Sequence, residues 1–146
     1  MAIKMSTGLR NQMLSGDSLK GIFDAGSEIR IYSGTIPPSA DNSIGAATLL
    51  CTIKNGASGI TFDTEASGGI LLKNPAETWQ GTCGATGTAT FYRHVLTADA
   101  GDASTTAPRY QGNVAVVGAD MNLTSTSLVS GAVQGIDYHA VTIATA

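Results

Sequence analysis

The sequence predicts a mainly β protein of the all-β class, an antiparallel β-sandwich or jelly roll of about eight strands that follows a short N-terminal helical region. From Glu28 onward, apolar and polar residues alternate in short runs separated by turn residues. No helical periodicity lies between the runs, which disfavours a parallel sheet because parallel strands need crossover connections. Ser, Thr, Ala and Gly are abundant, whereas Glu, Lys and Leu, common on helix surfaces, are sparse. No fixed-period repeat indicates a solenoid or propeller.

Length and charge limit the organisation and the partners of the chain. With 146 residues, we expect one domain, with residues 1–26 as a helical arm and residues 27–146 as the β-sheet body. Only 13% of the residues are charged and the net charge is -3, so we expect neither nucleic acid nor a membrane surface as a partner. The sequence has no apolar run of bilayer length and no signal-peptide pattern, which favours synthesis in a cytoplasm. Low charge also favours self-association or docking on another protein.

Two short helices are predicted in the arm. In "STGLRNQMLSG", Leu9, Met13 and Leu14 recur at helical spacing behind Ser6 or Thr7 as a cap. The segment "GDSLKGIFDAG" repeats these signals with Asp17 or Ser18 as its cap and a final glycine as its stop. Helices of about two turns are marginal in isolation. The arm must therefore pack against the body or reach a neighbouring molecule, and both alternatives are open.

Nine runs in the body have strand character. They are, in chain order, "EIRIYSG", "ATLLCTI", "GITFDT", "GGILLK", "ETWQGT", "GTATFYRHV", "RYQGNVAVV", "MNLTSTSLV" and "IDYHAVTIAT". The link from Thr97 to Pro108 is long, acidic at Asp99 and Asp102, and free of large apolar residues. We expect it to be a mobile surface loop, either an exposed connection or a loop that orders on a partner.

The strand "GTATFYRHV" concentrates aromatic and basic residues. Alternation places Phe91, Arg93 and Val95 on one face and Tyr92 and His94 on the other. We interpret the Phe91 face as core and the face of Tyr92 and His94 as a surface that meets another protein. On this interpretation Arg93 is a paired charge near a sheet edge, or its aliphatic part packs while its head reaches water.

The residues that could carry chemistry are few and scattered. His94 and His139 are the only histidines, and if their strands paired, Asp137 could join them, but a metal site needs further ligands. No serine lies in a G-x-S-x-G elbow, and the carboxylates form no evident pair. The glycine-rich "GTCGATGTA" precedes a strand instead of a helix, which indicates a hairpin turn and not a phosphate loop. We therefore predict no catalytic residue, no metal, no cofactor and no enzymatic activity.

Two further residue types leave alternatives open. Trp79 is the only tryptophan and is interpreted as a core or interface anchor, with a sugar-stacking platform as the alternative. Cys51 and Cys83 are the only cysteines and are interpreted as two buried thiols, with a disulfide as the alternative.

Several segments resemble a known family. The opening "STGLRNQMLSGDSLKGIFDAGSEIRIYSGTIPPSADNSIGAATLL", and within it above all "IRIYSGTIPPSAD", resembles the start of small structural proteins encoded among the head genes of tailed bacteriophages. The later "ETWQGTCGATGTATFYRHV" and "QGNVAVVGADMNLTSTSLVSG" are similar to the middle and end of the same family, so the resemblance covers nearly the whole chain. It implies a β-rich capsid cement, or decoration, protein without catalytic residues.

The resemblance implies a role in the virion. We expect the protein to bind the outside of the head, to stabilise contacts between capsomers of the major capsid protein, and to associate with itself as a homodimer or homotrimer. It would be assembled in the host cytoplasm and reside on the capsid exterior. The residues predicted to contact the capsid or a sister copy are Leu9, Arg10, Met13, Tyr32, Trp79, Tyr92 and His94. The alternatives are a tail or head-tail connector component and a carbohydrate-binding jelly-roll module in which Trp79 and Tyr92 stack on sugar rings.

Overall fold

The computed structural model describes residues 3–143. Its elements are β1 (Lys4–Met5), α1 (Thr7–Leu14), α2 (Leu19–Asp24), β2 (Ser27–Ser33), β3 (Thr48–Ile53), β4 (Ile70–Leu72), β5 (Trp79–Thr82), β6 (Gly87–Thr88), β7 (Phe91–Leu96), β8 (Arg109–Ala115), β9 (Met121–Asn122), β10 (Ser127–Leu128), β11 (Val133–Ile136) and β12 (Ala140–Thr142). The predicted mainly β class with an N-terminal helical region is confirmed. The strand count is higher than predicted, because several strands are only two to four residues long.

One central antiparallel sheet and three ribbons organise the strands. The central sheet has the order β1-β8-β7-β2-β3, and β9 adds to β8 in parallel. The ribbons are the antiparallel pairs β10-β6, β11-β5 and β12-β4. Buried apolar residues of the ribbons join one cluster with the face of the central sheet that carries Ile29, Ile31 and Tyr110. The main core therefore lies between the central sheet and the ribbons.

Most of the predicted strand runs contain a strand in the structure, but several of these strands are shorter than the predicted run or divided in two. The run "GITFDT" contains only an isolated bridge between Phe62 and Lys73, and "MNLTSTSLV" divides into β9 and β10. The run "IDYHAVTIAT" contributes β12, and its last two residues lie outside the described residues. Strands β1 and β11 were missed because two residues and the glycine-containing "VQGI" are too short or too irregular to show a period of two.

The helical arm packs on the body. The Ser6 hydroxyl caps α1 by accepting a hydrogen bond from the Leu9 N–H (3.1 Å), and Ser18 caps α2 in the same way. Leu9 and Phe23 are completely buried in the main core. Gly8 lies so close to the chain that an added Cβ would fall 2.3 Å from the Thr106 carbonyl oxygen. Of the two alternatives for the arm, the structure therefore contains the one in which it packs against the body.

The link from Thr97 to Pro108 differs from its prediction at one residue, Asp99. Most of the segment is exposed, as predicted for a surface loop, but the Asp99 carboxylate turns inward to Arg109, and both of these side chains are almost fully buried. The Ser104 N–H also donates to the Asp41 carbonyl (2.8 Å). The inward position of Asp99 was not predicted, because an acidic residue in a polar loop shows no sequence sign of a buried basic partner elsewhere in the chain.

Candidate functional site

Strand β7 lies in the middle of the central sheet and is buried on both faces. Tyr92 and His94 lie opposite Ile31 and Ile29 of β2, so they share a face as predicted. The prediction that this face is exposed was wrong, because both side chains are buried. Helix α2 covers the face, and the Phe23 ring stacks on His94 with centroids 4.3 Å apart.

A chain of buried polar side chains runs through this core. Ser27 Oγ lies 2.7 Å from His94 Nε2, and His94 Nδ1 lies 2.6 Å from the Tyr110 hydroxyl. The same hydroxyl lies 2.9 Å from His139 Nε2. The two histidines are thus brought together through Tyr110, whereas Asp137 is exposed and takes no part. Ser27 and Tyr110 carry no distinctive local motif, so the sequence did not identify them as members of this group.

Burial determines the protonation of the two histidines in this chain of hydrogen-bonded side chains. Desolvation lowers the pKa of His94 well below its usual value, with a smaller contribution from His139, and lowers the pKa of His139 to about 4. Both rings are therefore neutral near pH 7. His139 Nδ1 has no hydrogen-bond partner among the described residues. Because a buried bare N–H costs more than an idle lone pair, we assign the ring protons to Nε2 of both histidines, with Tyr110 donating to His94.

The buried chain offers no access to a substrate. Ser27, His94, Tyr110 and His139 are all at most 2% exposed. Within residues 3–143, no group of three or more His, Cys, Asp or Glu side chains is arranged to hold a metal ion. These four buried side chains therefore form a hydrogen-bonded core, which restricts the packing of the sheet against α2 and the ribbons.

The opposite face of the central sheet carries buried arginines. Arg93 Nε donates to Gln111 Oε1 (2.9 Å), and Arg109 binds the Asp99 carboxylate through Nε and Nη2. Burial alone would raise the pKa of Asp99, but hydrogen bonds from Arg109 and from the Gly101 N–H, with the nearby positive charges, hold it below its usual range. This face of the sheet therefore carries charged side chains, but they are buried and do not form a surface for a ligand.

The same cluster holds the segment that carries the family resemblance. The carbonyls of Pro37, Ser39 and Ala40 accept hydrogen bonds from the side chains of Gln111 (2.7 Å), Arg93 (3.4 Å) and Arg109 (3.3 Å), respectively. The sequence "IRIYSGTIPPSAD" therefore forms β2 and then a loop bound along the buried cations. Its role in this fold is structural.

Five of the seven predicted contact residues are buried inside the molecule. They are Leu9, Tyr32, Trp79, Tyr92 and His94. A buried side chain offers no surface to a partner, so their assignment as contact residues was wrong for this fold. The Trp79 indole donates to Glu77 (2.7 Å) and its ring faces the core, so neither Trp79 nor Tyr92 is a sugar platform.

The two remaining predicted contact residues lie at the surface of the molecule. Arg10 is exposed and Met13 is half-buried, so both retain surface for a partner.

Cys51 and Cys83 are free and buried, as expected for two thiols. Burial, with a smaller effect from the adjoining Cys83, raises the pKa of Cys51 to about 12.

Two of the surface grooves in the described part of the chain have volumes above 400 Å³ and contain exposed apolar residues. The first, the Tyr138 groove, has a volume of about 430 Å³. It is lined by Val116, Asn122, Leu123, Thr124, Val133, Gln134, Gly135, Asp137 and Tyr138. Val116, Val133 and Tyr138 each expose more than half of their surface. Neither valine carries a sequence sign of this groove, since Val116 belongs to the predicted strand run "RYQGNVAVV" and Val133 to none of the predicted runs.

The second groove, the Met13 groove, has a volume of about 440 Å³ and a more apolar lining. It lies between the helical arm and the β12-β4 ribbon. It is lined by Met13, Ser18, Leu19, Lys20, Ala66, Gly69, Leu71, Val141 and Ile143. The two grooves share no residue.

Comparison with family models, curated proteins and solved structures gives no match to this chain. In the part of the chain that the structure describes, neither helix has the length and apolar character needed to cross a bilayer.

Proposed function

We propose that this protein is a capsid decoration protein of a tailed bacteriophage, which binds the outside of the head and stabilises contacts between capsomers of the major capsid protein. The family resemblance of "IRIYSGTIPPSAD" supports the choice of partner. The observation that carries the binding role is the Tyr138 groove, where Val116, Val133 and Tyr138 remain exposed on a protein whose other large side chains are mostly buried.

The groove has the composition of a protein-binding surface. Its lining combines apolar side chains, including the aromatic ring of Tyr138, with the polar side chains of Asn122, Gln134 and Asp137. Full burial of an exposed Val side chain stabilises a complex by roughly 1.5 to 3 kcal/mol. One such contact is weak, but many copies bound to one shell act together, and ligands that bind only the assembled shell stabilise that state by mass action.

The buried clusters support this role by making the molecule rigid. The arginines bind the loop that follows β2, and the histidine chain restricts the packing of the core. A rigid surface loses little conformational entropy when it binds. The proposed mechanism is non-enzymatic and uses no cofactor. The protein acts on the capsid exterior after assembly in the host cytoplasm, as a homodimer or homotrimer.

The test is to locate and count the protein in purified virions. We expect density over the whole shell in electron microscopy and a copy number close to that of the major capsid protein. Val133→Ser and Tyr138→Ala should lower occupancy of the shell, whereas the control Val129→Ser, an exposed valine outside the groove, should not. Density at one vertex or along the tail would support the alternative of a connector or tail component and overturn the decoration role.

Carbohydrate binding is a second candidate function, at a different place from the one predicted. The exposed Tyr138 lines the same groove as Asp137 and Asn122, and an aromatic ring with a carboxylate and an amide is a combination that can stack on a sugar and bind its hydroxyls. A glycan array tests this candidate. Binding that is lost in Tyr138→Ala, while the melting temperature is unchanged, would favour it over the capsid role.

A further inference from the structure

The two free cysteines lie on neighbouring segments of the chain. Cys51 belongs to β3 in the central sheet, and Cys83 directly follows β5 of the β11-β5 ribbon. The Gly84 N–H donates to the Leu50 carbonyl (2.9 Å), so the residues next to the two cysteines are hydrogen-bonded to each other. The glycine-rich segment that contains Cys83 is therefore held against the edge of the central sheet.

A second pair of hydrogen bonds fixes the alignment of the two segments. The backbones of Lys54 and Gln80 exchange hydrogen bonds of 3.1 and 3.0 Å in an antiparallel bridge. Cys51 precedes Lys54 by three residues, and Cys83 follows Gln80 by three residues. Because the stretches between the two links are equal in length and run in opposite directions, the two cysteines lie opposite each other.

The side chains of the two cysteines also face each other. A Cβ added to Gly81 would lie 3.5 Å from Cys51 Sγ, and Cys51 Sγ lies 3.4 Å from the Gly81 carbonyl oxygen. Gly81 and Cys83 are two residues apart, so side chains at these positions lie on the same side of an extended segment. Cys83 Sγ therefore faces the Cys51 thiol, in agreement with the effect of Cys83 on the pKa of Cys51.

We propose that Cys51 and Cys83 are an oxidation site, at which a disulfide-type oxidant such as oxidised glutathione converts the two thiols into a disulfide that ties β3 to the β11-β5 ribbon. Opposite residues of an antiparallel pair have Cα atoms about 4.5 to 5.5 Å apart, within the range of about 4.4 to 6.8 Å that a disulfide spans. This site is independent of the proposed capsid-binding surface, because neither cysteine lines the Tyr138 groove.

The reaction proceeds by two thiol–disulfide exchanges. Cys83 reacts first, since Thr82 and Gly84 on either side of it are exposed. Its thiol loses a proton and attacks one sulfur of oxidised glutathione, which forms a mixed disulfide and releases one glutathione thiol. The Cys51 thiol then loses its proton and attacks Cys83 Sγ, which forms the bond between the two cysteines and releases the second glutathione thiol. Two electrons pass from the protein to the oxidant, and the two protons leave on glutathione.

The first experiment is oxidation of the folded, full-length protein with oxidised glutathione, followed by mass spectrometry of the intact chain and of its tryptic peptides. We expect a product two hydrogens lighter than the reduced chain, in which the peptides of residues 31–54 and 74–93 are joined. Its melting temperature should be about 10 °C higher than that of the reduced protein, because the cross-link closes a loop of roughly 30 residues. Dithiothreitol should reverse both changes.

The second experiment measures the equilibrium constant for disulfide formation against glutathione, in the folded protein and in urea. Equilibrium is approached both from reduced protein and from protein oxidised before refolding, so that slow access to the buried thiols does not affect the result. We expect the disulfide to be favoured in the folded protein by at least about a hundredfold. An equal or smaller constant in the folded protein, or a melting temperature that oxidation lowers, would overturn the proposal.

Single serine variants serve as matched controls. In Cys51→Ser the reaction should stop at the mixed disulfide, with one glutathione attached to Cys83, and in Cys83→Ser no link between the two peptides can form. Circular dichroism of the reduced variants checks that they fold. Oxidation that raises the melting temperature of a serine variant as much as that of wild type would show that the effect does not come from this bond.

Failure of this proposal is distinguishable from failure of the decoration role. Oxidation is measured on the purified protein without any shell, whereas the decoration role is measured on virions.

Discussion

Arg109 and Asp99 form a bidentate ion pair in the interior, with Nε 2.6 Å from Oδ2 and Nη2 2.8 Å from Oδ1. The pair joins the segment between β7 and β8 to the central sheet. Removing one partner of a buried pair leaves the other charge without compensation.

The first prediction concerns this pair. Asp99→Asn should lower the free energy of unfolding by about 3 to 5 kcal/mol, because the Arg109 guanidinium then stays buried without its counter-ion. Urea unfolding followed by circular dichroism measures the change. Asp102→Asn is the control, since this residue lies in the same segment but is exposed, and it should behave like wild type. Equal stability of the two variants would contradict the role given to the pair.

The second prediction concerns pH. The pKa of His139 is about 4 in the folded protein and that of His94 is well below its usual value, whereas both are near 6.5 in the unfolded chain. Above pH 6.5 the two histidines are neutral in both the folded and the unfolded state, so their contribution to the free energy of unfolding is fully present. As pH falls from 6.5 toward 4, only the unfolded chain takes up these protons, so stability falls, with a slope that approaches about 2.7 kcal/mol per pH unit.

Unfolding midpoints in urea between pH 7 and pH 4.5 check this prediction. In His139→Gln the slope should drop by about half, because one proton fewer is taken up on unfolding. Stability that does not change across this range, or a slope equal to that of wild type in the variant, would contradict neutral buried histidines.

The third prediction concerns Glu77, whose carboxylate accepts hydrogen bonds from the Trp79 indole and from the N–H and hydroxyl of Thr61. Burial acts to raise the pKa of Glu77, but these hydrogen bonds together hold it below its usual range. Glu77→Gln replaces an acceptor oxygen by an NH2 donor and should cost about 1 to 3 kcal/mol. Tryptophan fluorescence during urea unfolding measures this loss in the free energy of unfolding. The exposed Glu65→Gln is the control, and a similar loss there would argue against a specific contact.

The fourth prediction concerns the contact between α1 and the segment before β8. A Cβ at Gly8 would lie 2.3 Å from the Thr106 carbonyl oxygen, which is backbone and cannot rotate away. Gly8→Ala should therefore destabilise the protein by about 1 to 3 kcal/mol through overpacking. Thermal unfolding measures this, with Gly84→Ala as the control because nothing lies within 4 Å of its Cβ position. A stable Gly8→Ala variant would mean that α1 is not seated as described.

The sequence predicted the fold class from local properties. A period of two, frequent turn residues and few helix formers are each visible within ten residues, and they led to a mainly antiparallel β protein with capped helices at its start. The faces of β7 were also divided correctly, because side-chain alternation is a property of the strand itself. The family resemblance and the virion role drawn from it stay proposals.

Which face of β7 is covered, and by what, was decided by tertiary structure alone. Burial of His94 depends on Phe23, about 70 residues away in the chain, and Tyr92 packs against His139. Burial of Arg93 depends on the loop after β2. The same holds for Asp99, whose counter-ion arrives from the next strand. Alternation sorts side chains into two sets, but exposure is set by long-range packing, and this is why the contact residues predicted from the strands are buried while Leu14 and Tyr138 remain at the surface.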